Sequence, residues 1–380
     1  MKVAVLGFGV VGVGVWEMLS SAENLSQGPV LVRPGKKDAP WKAEHIDDIL
    51  FDPSIEAVAE ALGGIEPAFS YGMQALEAGK HFITANKALV AAKGIELSAM
   101  ARRQGRAFLF GAACGGALPY LQQLCLARSG DRVLRVGGIL NSTTNYILDA
   151  MQRRNMEYCD ALRDAQVLGY AESDPSADVS GLDALRKIML ACAVAFDRLP
   201  ADGLCCEGID RLTAADVCDF KRRGLTCRLL VSGEPAGDTV SAYAEPVLLP
   251  PDREECAVLD NFNLARYDAE KMGRTALLGQ GAGRYPTAGG VIRDLQWAAL
   301  GGRQMLSPDC RKVTADNSRI SHRYYARLPR ALAEKFTLEE FVLCGDMARV
   351  VTAPMAVSQM HAAVQDMRSK GADIFFAAMA

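Results

Sequence analysis

The first dozen residues constrain this chain more than any other stretch. Lys2-Val3-Ala4-Val5-Leu6 reads as a strand, Gly7-Phe8-Gly9-Val10-Val11-Gly12 follows without a gap, and an amphipathic run through Trp16 and Leu19 comes next. G-x-G-x-x-G between a strand and a helix is the pattern of a dinucleotide-binding turn. Gly7 makes the tight turn, Gly9 lets the backbone approach a pyrophosphate, and Gly12 lets helix and strand pack closely. The helix start then offers free N–H groups and a positive dipole end to the phosphates. Phe8, Gly9, Val10, Val11 and Gly12 are accordingly the expected cofactor contacts.

Strands and helices keep alternating beyond this turn. Expected strands are Val30–Arg33, Ile55–Glu60, His81–Thr84 and Arg106–Phe110, with a helix through Ala75 and Leu76 closed by Gly79. That order implies a doubly wound, mostly parallel sheet whose ligand edge lies at the carboxyl ends of its strands. A site specific for NAD places Asp or Glu near the end of the second strand, to hold the ribose hydroxyls. Arg33 stands there instead, with Lys36 and Lys37 just after. Cations suit a 2′-phosphate and favour NADP; NAD remains the alternative if these are only solvated loop charges. Lys87, in Ala85-Asn86-Lys87-Ala88 at another strand end, is either a solvated helix-start residue or a cation facing nicotinamide and substrate. A second glycine cluster, Gly279 to Gly283, precedes a helix expected over Thr287–Leu300, and Gly283 is a further candidate contact if that segment returns to the cofactor.

The chain is 380 residues long, half of them hydrophobic, with a formal net charge of -3. That length suits two or three domains, and the near-neutral charge argues against a nucleic-acid or membrane surface. No run reaches the roughly 18 apolar residues of a membrane span, and Met1 leads straight into a strand, so a cytoplasmic protein is expected. Eleven scattered cysteines, none in a C-x-x-C spacing, read as reduced thiols. Four histidines with no metal-ligand pair argue against a zinc site.

The stretch from Leu168 to Lys187 places Glu172, Asp174, Asp178 and Asp183 in a loop dense in turn formers, ahead of an apolar helix-forming segment. Such a loop suits a cationic ligand. Ser180 and Asp183 have capping-box spacing, which predicts a helix beginning at Gly181 with Ser180 as its N-cap. Asp183 and Lys187 then fall one turn apart on one face, which by itself need be no more than a surface pair worth about 0.2–0.5 kcal/mol. Upstream, the polar run Asn141 to Tyr146 follows the strand expected over Val133–Leu140; it caps the next helix and suits hydrogen bonding to a small polar substrate. Strands expected over Thr226–Ser232, Val240–Leu249 and Ala257–Tyr267 suggest an α+β substrate domain with a sheet open on one side. After about Asp309 the order reads β-α-β-β-α-β. The fold class is therefore α/β, in three parts. Residues 1–138 form an N-terminal doubly wound Rossmann domain, to which a segment near 284–304 returns. Residues 139–308 form the α+β substrate domain, and 309–380 a small βαββαβ unit.

With these pieces placed, the chain resembles the homoserine dehydrogenases over nearly its whole length. The resemblance rests on Gly7 to Gly12, on Thr84-Ala85-Asn86-Lys87-Ala88-Leu89, on Gly138 to Leu148, on Gly169-Tyr170-Ala171-Glu172-Ser173-Asp174-Pro175, and on Asp183 to Lys187. It implies NAD(P)H-dependent interconversion of aspartate 4-semialdehyde and homoserine, in the route to threonine and methionine. It implies that Lys187 is catalytic, that Lys87 is a second active-site lysine beside the nicotinamide, and that Glu172 and Asp183 hold the amino-acid substrate. Asp178 matches a further acidic position, and Gly169 a cofactor or cation contact. A homodimer through the substrate-domain sheet and an ACT-like C-terminal unit are implied as well.

The chain departs from the family pattern at several places. Where a glutamate usually helps to bind a monovalent cation, the residue is Gly111, and Cys114 replaces a valine. That leaves only the backbone carbonyls of Cys114, Gly116 and Leu118 as ligands. Ser142 replaces a glycine, and Leu328-Pro329-Arg330 replaces the Pro-Gly turn of an effector site. Loss of the glutamate favours an alternative, a catalytically inactive amino-acid or nucleotide sensor. Retention of both lysines and both substrate carboxylates opposes it.

Overall fold

The computed structural model describes residues 1–32 and 41–380. Arg33, Lys36 and Lys37, on which the expectation of NADP rests, lie outside the described residues. Strands β1 (Lys2–Leu6), β2 (Ser26–Leu31), β3 (Lys42–Ala43), β4 (Ile55–Glu60), β5 (His81–Thr84) and β6 (Phe108–Leu109) form one sheet in the order β3-β2-β1-β4-β5-β6, parallel throughout. The order reverses beside β1, the doubly wound arrangement expected from the alternating pattern. After Lys2, β1 is apolar because helices cover both faces of a parallel sheet: Val3, Ala4, Val5 and Leu6 are all buried.

A second, 11-stranded sheet is mixed. Its main path runs Gly273–Gln280, Phe262–Ala269, Val133–Ile139, Thr226–Ala236, Thr239–Leu249, Phe375–Met379, Ser321–Pro329, Met347–Thr352, Leu338–Cys344. The helix Leu182–Phe196 lies on this sheet where Gly233 leaves room: a Cβ there would sit 2.4 Å from Cys192 Sγ. The final strand joins the C-terminal unit to the middle of the sheet, with Val247 opposite Ala378 and Leu248 opposite Met379. Arg368 clasps Glu207 at 2.6 and 2.8 Å, and Arg327 meets Asp216 at 3.1 Å.

The helix Arg284–Ala299 returns to the first domain. Its first turns pack on the helix Val10–Leu19 so closely that a Cβ on Gly14 would lie 2.9 Å from Arg284 Cγ, and Tyr285 donates to Glu17 at 3.1 Å. Phe108 N donates to Arg303 O at 2.9 Å, extending the β6 edge.

Several elements differ from expectation, among them the second strand, which is Ser26–Leu31 and not Val30–Arg33, and the sixth, which is Phe108–Leu109 and not Arg106–Phe110. The segment Arg330–Lys335 is 3-10 rather than α-helical. The strand expected from Ala257 begins at Phe262, because Glu254–Ala257 forms a 3-10 turn. The strand Gly273–Gln280 had no sequence signal: it is an exposed edge whose two glycines and adjacent Leu277 and Leu278 blur any alternation. All eleven cysteines are free thiols, and among the described residues no helix is long and apolar enough to cross a membrane.

Candidate active site

Three segments bring the polar residues together. Leu140 follows the strand Val133–Ile139, and Asn141 caps the helix Ser142–Arg154 by accepting from Thr144 N at 2.8 Å. With its oxygen so engaged, the Asn141 amide nitrogen donates to Asp178 Oδ1 at 2.7 Å and to Asp183 Oδ2 at 2.9 Å. One side chain therefore both starts a helix and sets two carboxylates in place. Thr143 Oγ1 completes the link, donating to Tyr170 O at 2.6 Å and lying 3.2 Å from Asp178 Oδ2.

The helix carrying Asp183 and Lys187 begins differently from expectation. Ser180 ends a short helix, Ser176–Val179, and its hydroxyl is buried without a partner; Gly181 is the N-cap, in the left-handed region at φ 83°. The capping box does not form because the Asp183 carboxylate is spent on two lysines. Its Oδ2 receives Lys187 Nζ at 2.7 Å and its Oδ1 receives Lys87 Nζ at 2.8 Å. Lys187 Nζ also donates to Leu140 O at 2.6 Å. An ammonium has three donors, so one N–H of Lys187 is left for another acceptor.

Burial sets the charges. Lys187 and Asp183 are each 7% exposed. Burial pushes the Lys187 ammonium toward neutrality, but the adjacent Asp183 carboxylate outweighs it and the pKa ends above the ordinary lysine value. Burial likewise opposes the Asp183 charge, and Lys187 with Lys87 overcomes it, holding the carboxyl well below its usual range. Asp178 goes the other way: burial, and then the charge of Asp183, raise it. The cluster thus holds one firmly ionised carboxylate between two lysines, and beside it a carboxyl group that protonates more readily.

Lys87 ties this cluster to the dinucleotide edge. It opens the helix Lys87–Arg103 just past β5, with Asn86 as N-cap accepting from Leu89 N at 3.1 Å. Glu60, at the end of neighbouring β4, accepts from Leu62 N and from Thr84 Oγ1, which shapes the same strand ends. The glycine turn has the geometry its sequence implies: Gly7 lies at φ 95°, a Cβ on Gly12 would meet Gly7 O, and the space above Gly9 is open. Val10 begins its helix 62% exposed with no acidic residue in the first turn, while Phe8 and Val11 pack partly on the core. These features fit a bound dinucleotide phosphate.

Other expected residues are placed less centrally. Gly169, at φ 75°, terminates the helix Tyr158–Val167. Glu172 is exposed on the next loop, and no hydrogen bond or ion pair joins its carboxylate to the lysine cluster among the described residues. Gly283, at φ 114°, is the N-cap of the returning helix. Cys114 is buried, its thiol 3.6 Å from Lys187 O and pushed up to about 12 by burial. Of the carbonyls expected for a monovalent cation, that of Gly116 is approached by a guanidinium. Arg293 Nη1 donates to Ala117 O at 2.7 Å and Nη2 stands 3.5 Å from Gly116 O, and no carboxylate comes from Gly111.

Family models match the two halves of this site. The homoserine dehydrogenase NAD-binding domain matches residues 7–111, and the homoserine dehydrogenase domain matches 119–296. The chain belongs to the homoserine dehydrogenase family. A homoserine dehydrogenase of Mycobacterium tuberculosis is 39% identical over 316 residues, covering 78% of this chain and 72% of the relative. One from Corynebacterium glutamicum is 38% identical over 317 residues, covering 78% and 71%. The crystal structure of a homoserine dehydrogenase from Thiobacillus denitrificans aligns over 100% of this chain and 98% of its own, with a TM-score of 0.87 at 28% identity. The enzyme is thus an oxidoreductase acting on a CH–OH group.

Sequence reading placed Lys87, Asp178, Asp183 and Lys187 as candidates, and the fold brings these four together. It left the Leu140 carbonyl unnamed, and took Asn141 and Thr143 only as part of a polar run. The available signal was position: an Asn directly after a buried strand and before a helix has one amide end committed to capping and the other free to organise a neighbour.

Proposed function

We propose that this family member is catalytically active and interconverts L-aspartate 4-semialdehyde and L-homoserine with NADP(H), in the supply of threonine and methionine. The observation carrying this reading is the unused N–H of the buried, charged Lys187. The bound nicotinamide supplies or accepts the hydride at the substrate carbon. In the reducing direction negative charge grows on the aldehyde oxygen, where the Lys187 ammonium stabilises it and delivers the proton. Asp183 keeps that ammonium charged and Leu140 O fixes its direction, so the donor is oriented before the substrate arrives. Lys87, a third exposed along its side chain, bridges from the strand end at the cofactor edge and helps to orient both Asp183 and the substrate. Asp178 and Glu172 bind the substrate ammonium, Glu172 by movement of its exposed loop. The preference for NADP follows from Arg33, Lys36 and Lys37 in a sequence position that lacks an acidic residue.

The enzyme is proposed to work as a cytoplasmic homodimer. The sheet face turned away from the helix Leu182–Phe196 carries Ser232, Glu234, Tyr243, Glu245 and Val247 around a concavity, and supports pairing through this sheet. The test of activity is direct. Purified protein given homoserine and NADP should generate NADPH absorbance. No reduction of either NADP or NAD, with homoserine still binding by calorimetry, would select the sensor reading instead.

A further inference from the structure

The turn from Gly111 to Leu118 links the last strand of the cofactor sheet to the helix Tyr120–Gly130 and touches the Lys187 helix through Cys114, and its chemistry in this chain is self-contained. A side chain at 111 has no room: a Cβ there would lie 2.5 Å from Gln122 Nε2 and 2.7 Å from Asp294 Oδ1. Asp294 is itself buried, accepting from Ala112 N at 3.3 Å and from Gln122. Across the turn, the neighbouring Arg293 sends its guanidinium to Ala117 O and Gly116 O. Gly116 is pinned from both sides. Its own Cβ would sit 2.6 Å from Gly281 O, and a Cβ on Gly290 would sit 2.6 Å from Gly116 O. Ala117 N donates to Gln280 O at 3.2 Å, and Cys114 Sγ reaches Lys187 O.

We propose that the Arg293 guanidinium is a built-in cation: it braces this turn against the returning helix, and the enzyme neither binds nor needs a monovalent metal ion there. Hard cations require several oxygen ligands, commonly including a carboxylate. Here the carboxylate position is a glycine, and a fixed positive charge beside the Gly116 and Ala117 carbonyls repels a second one. A guanidinium donates through a rigid fork, so it sets direction as well as charge. Arg293 is therefore a positioning residue. Its effect runs through Gly116 and Ala117 to Cys114, which lies against the backbone of Lys187.

The first test does not depend on turnover and so stands even if the activity reading fails. Melting curves of the unmodified protein in sodium, potassium and tetramethylammonium chloride at equal ionic strength should superimpose; stabilisation specific to sodium or potassium overturns the proposal. The second uses Arg293→Ala, with Arg293→Lys as a companion should the alanine variant not fold. Either substitution should lower the melting temperature, and the alanine variant should lose roughly tenfold in kcat, the scale of a lost charge-assisted hydrogen bond. Methylguanidinium should restore kcat to the alanine variant, and tetramethylammonium should not. The lysine variant should retain an intermediate kcat, since it keeps the charge without the fork. Wild-type melting and kcat in either variant, or equal rescue by both ions, overturns the proposal.

Discussion

Asp183→Asn removes the one charge on which two lysines close while keeping the shape of the side chain. Its cost comes mostly from Lys187, because Lys87 is 34% exposed along its side chain and solvent screens that pair. Breaking a buried ion pair by removing one partner costs about 3–5 kcal/mol. A chain of 380 residues, at ~2.1 cal/mol/K per residue, has an unfolding entropy of about 0.8 kcal/mol/K, so the melting temperature should fall by roughly 4–6 °C. The folded pKa of Asp183 is depressed, so its contribution is full above the unfolded value of about 3.9 and disappears as pH falls through the folded one. The folded pKa of Lys187 is raised, so its contribution is full below about 10.4 and disappears as pH rises through the folded value. The gap between wild-type and variant melting temperatures should therefore be widest near neutrality and narrow in acid.

The same substitution should move the chemistry. Without Asp183, burial acts on Lys187 opposed only by weaker influences such as Asp178, so its pKa should drop below the ordinary lysine value. Reduction of aspartate 4-semialdehyde, followed by loss of NADPH absorbance, needs the charged form. The alkaline limb of kcat/KM should thus shift toward neutrality by about one unit or more in the variant. The absolute rate will fall too, but the position of the limb is what tests the reasoning. Alkaline limbs that coincide would refute the claim that Asp183 holds the proton on Lys187.

Lys187→Ala should cost turnover about 10²–10⁴-fold while NADPH binding, read by fluorescence, stays near wild type; retention of more than a tenth of the rate would rule out proton donation. Arg33→Ala should raise KM for NADP far more than for NAD, because only NADP offers a 2′-phosphate to the guanidinium; equal effects would remove the basis for the NADP preference. Gly111→Glu should lower the melting temperature, since overpacking costs about 1–3 kcal/mol and the new carboxylate would face buried Asp294. A variant as stable as wild type, or one that gains sodium-specific stabilisation, would contradict the packing seen around Gly111.

The first domain was readable because its determinants are local. A glycine turn, apolar runs of fixed length and breakers between them each act over a few residues, and a parallel sheet buried on both faces leaves β1 no polar position after Lys2. The clustering of the four candidate residues has a different origin: the spacing of Asp183 and Lys187 on a helix fixes their contact, and family motifs supplied Lys87 and Asp178. The start of that helix was misread because capping boxes compete with other uses of the same carboxylate. Ser180 and Asp183 have the right spacing, but two ammonium groups, that of Lys187 buried, attract Asp183 more strongly than a backbone N–H does. Edge strand Gly273–Gln280 was missed because its exposure leaves no face to pattern.

The region around Gly111 shows why some chemistry stays hidden until the chain is folded. Gly111, Gln122 and Asp294 are separated by up to 183 residues, yet a Cβ on the first would touch both of the others. Read alone, Gly111 is a lost ligand, and glycine invites the explanation of an unusual backbone angle. Its backbone is not in the left-handed region, so that explanation fails. The glycine is instead required by what fills the space beside it, a buried acid whose pKa burial lifts to about 7. The departure from the family pattern at 111 and the arginine at 293 thus lie on one turn, and a substitution at either should be judged together with the other. In Arg293→Ala the turn loses its cation while Gly111 still offers no carboxylate to recruit a replacement, so rescue must come from an ion that can donate hydrogen bonds to the freed carbonyls.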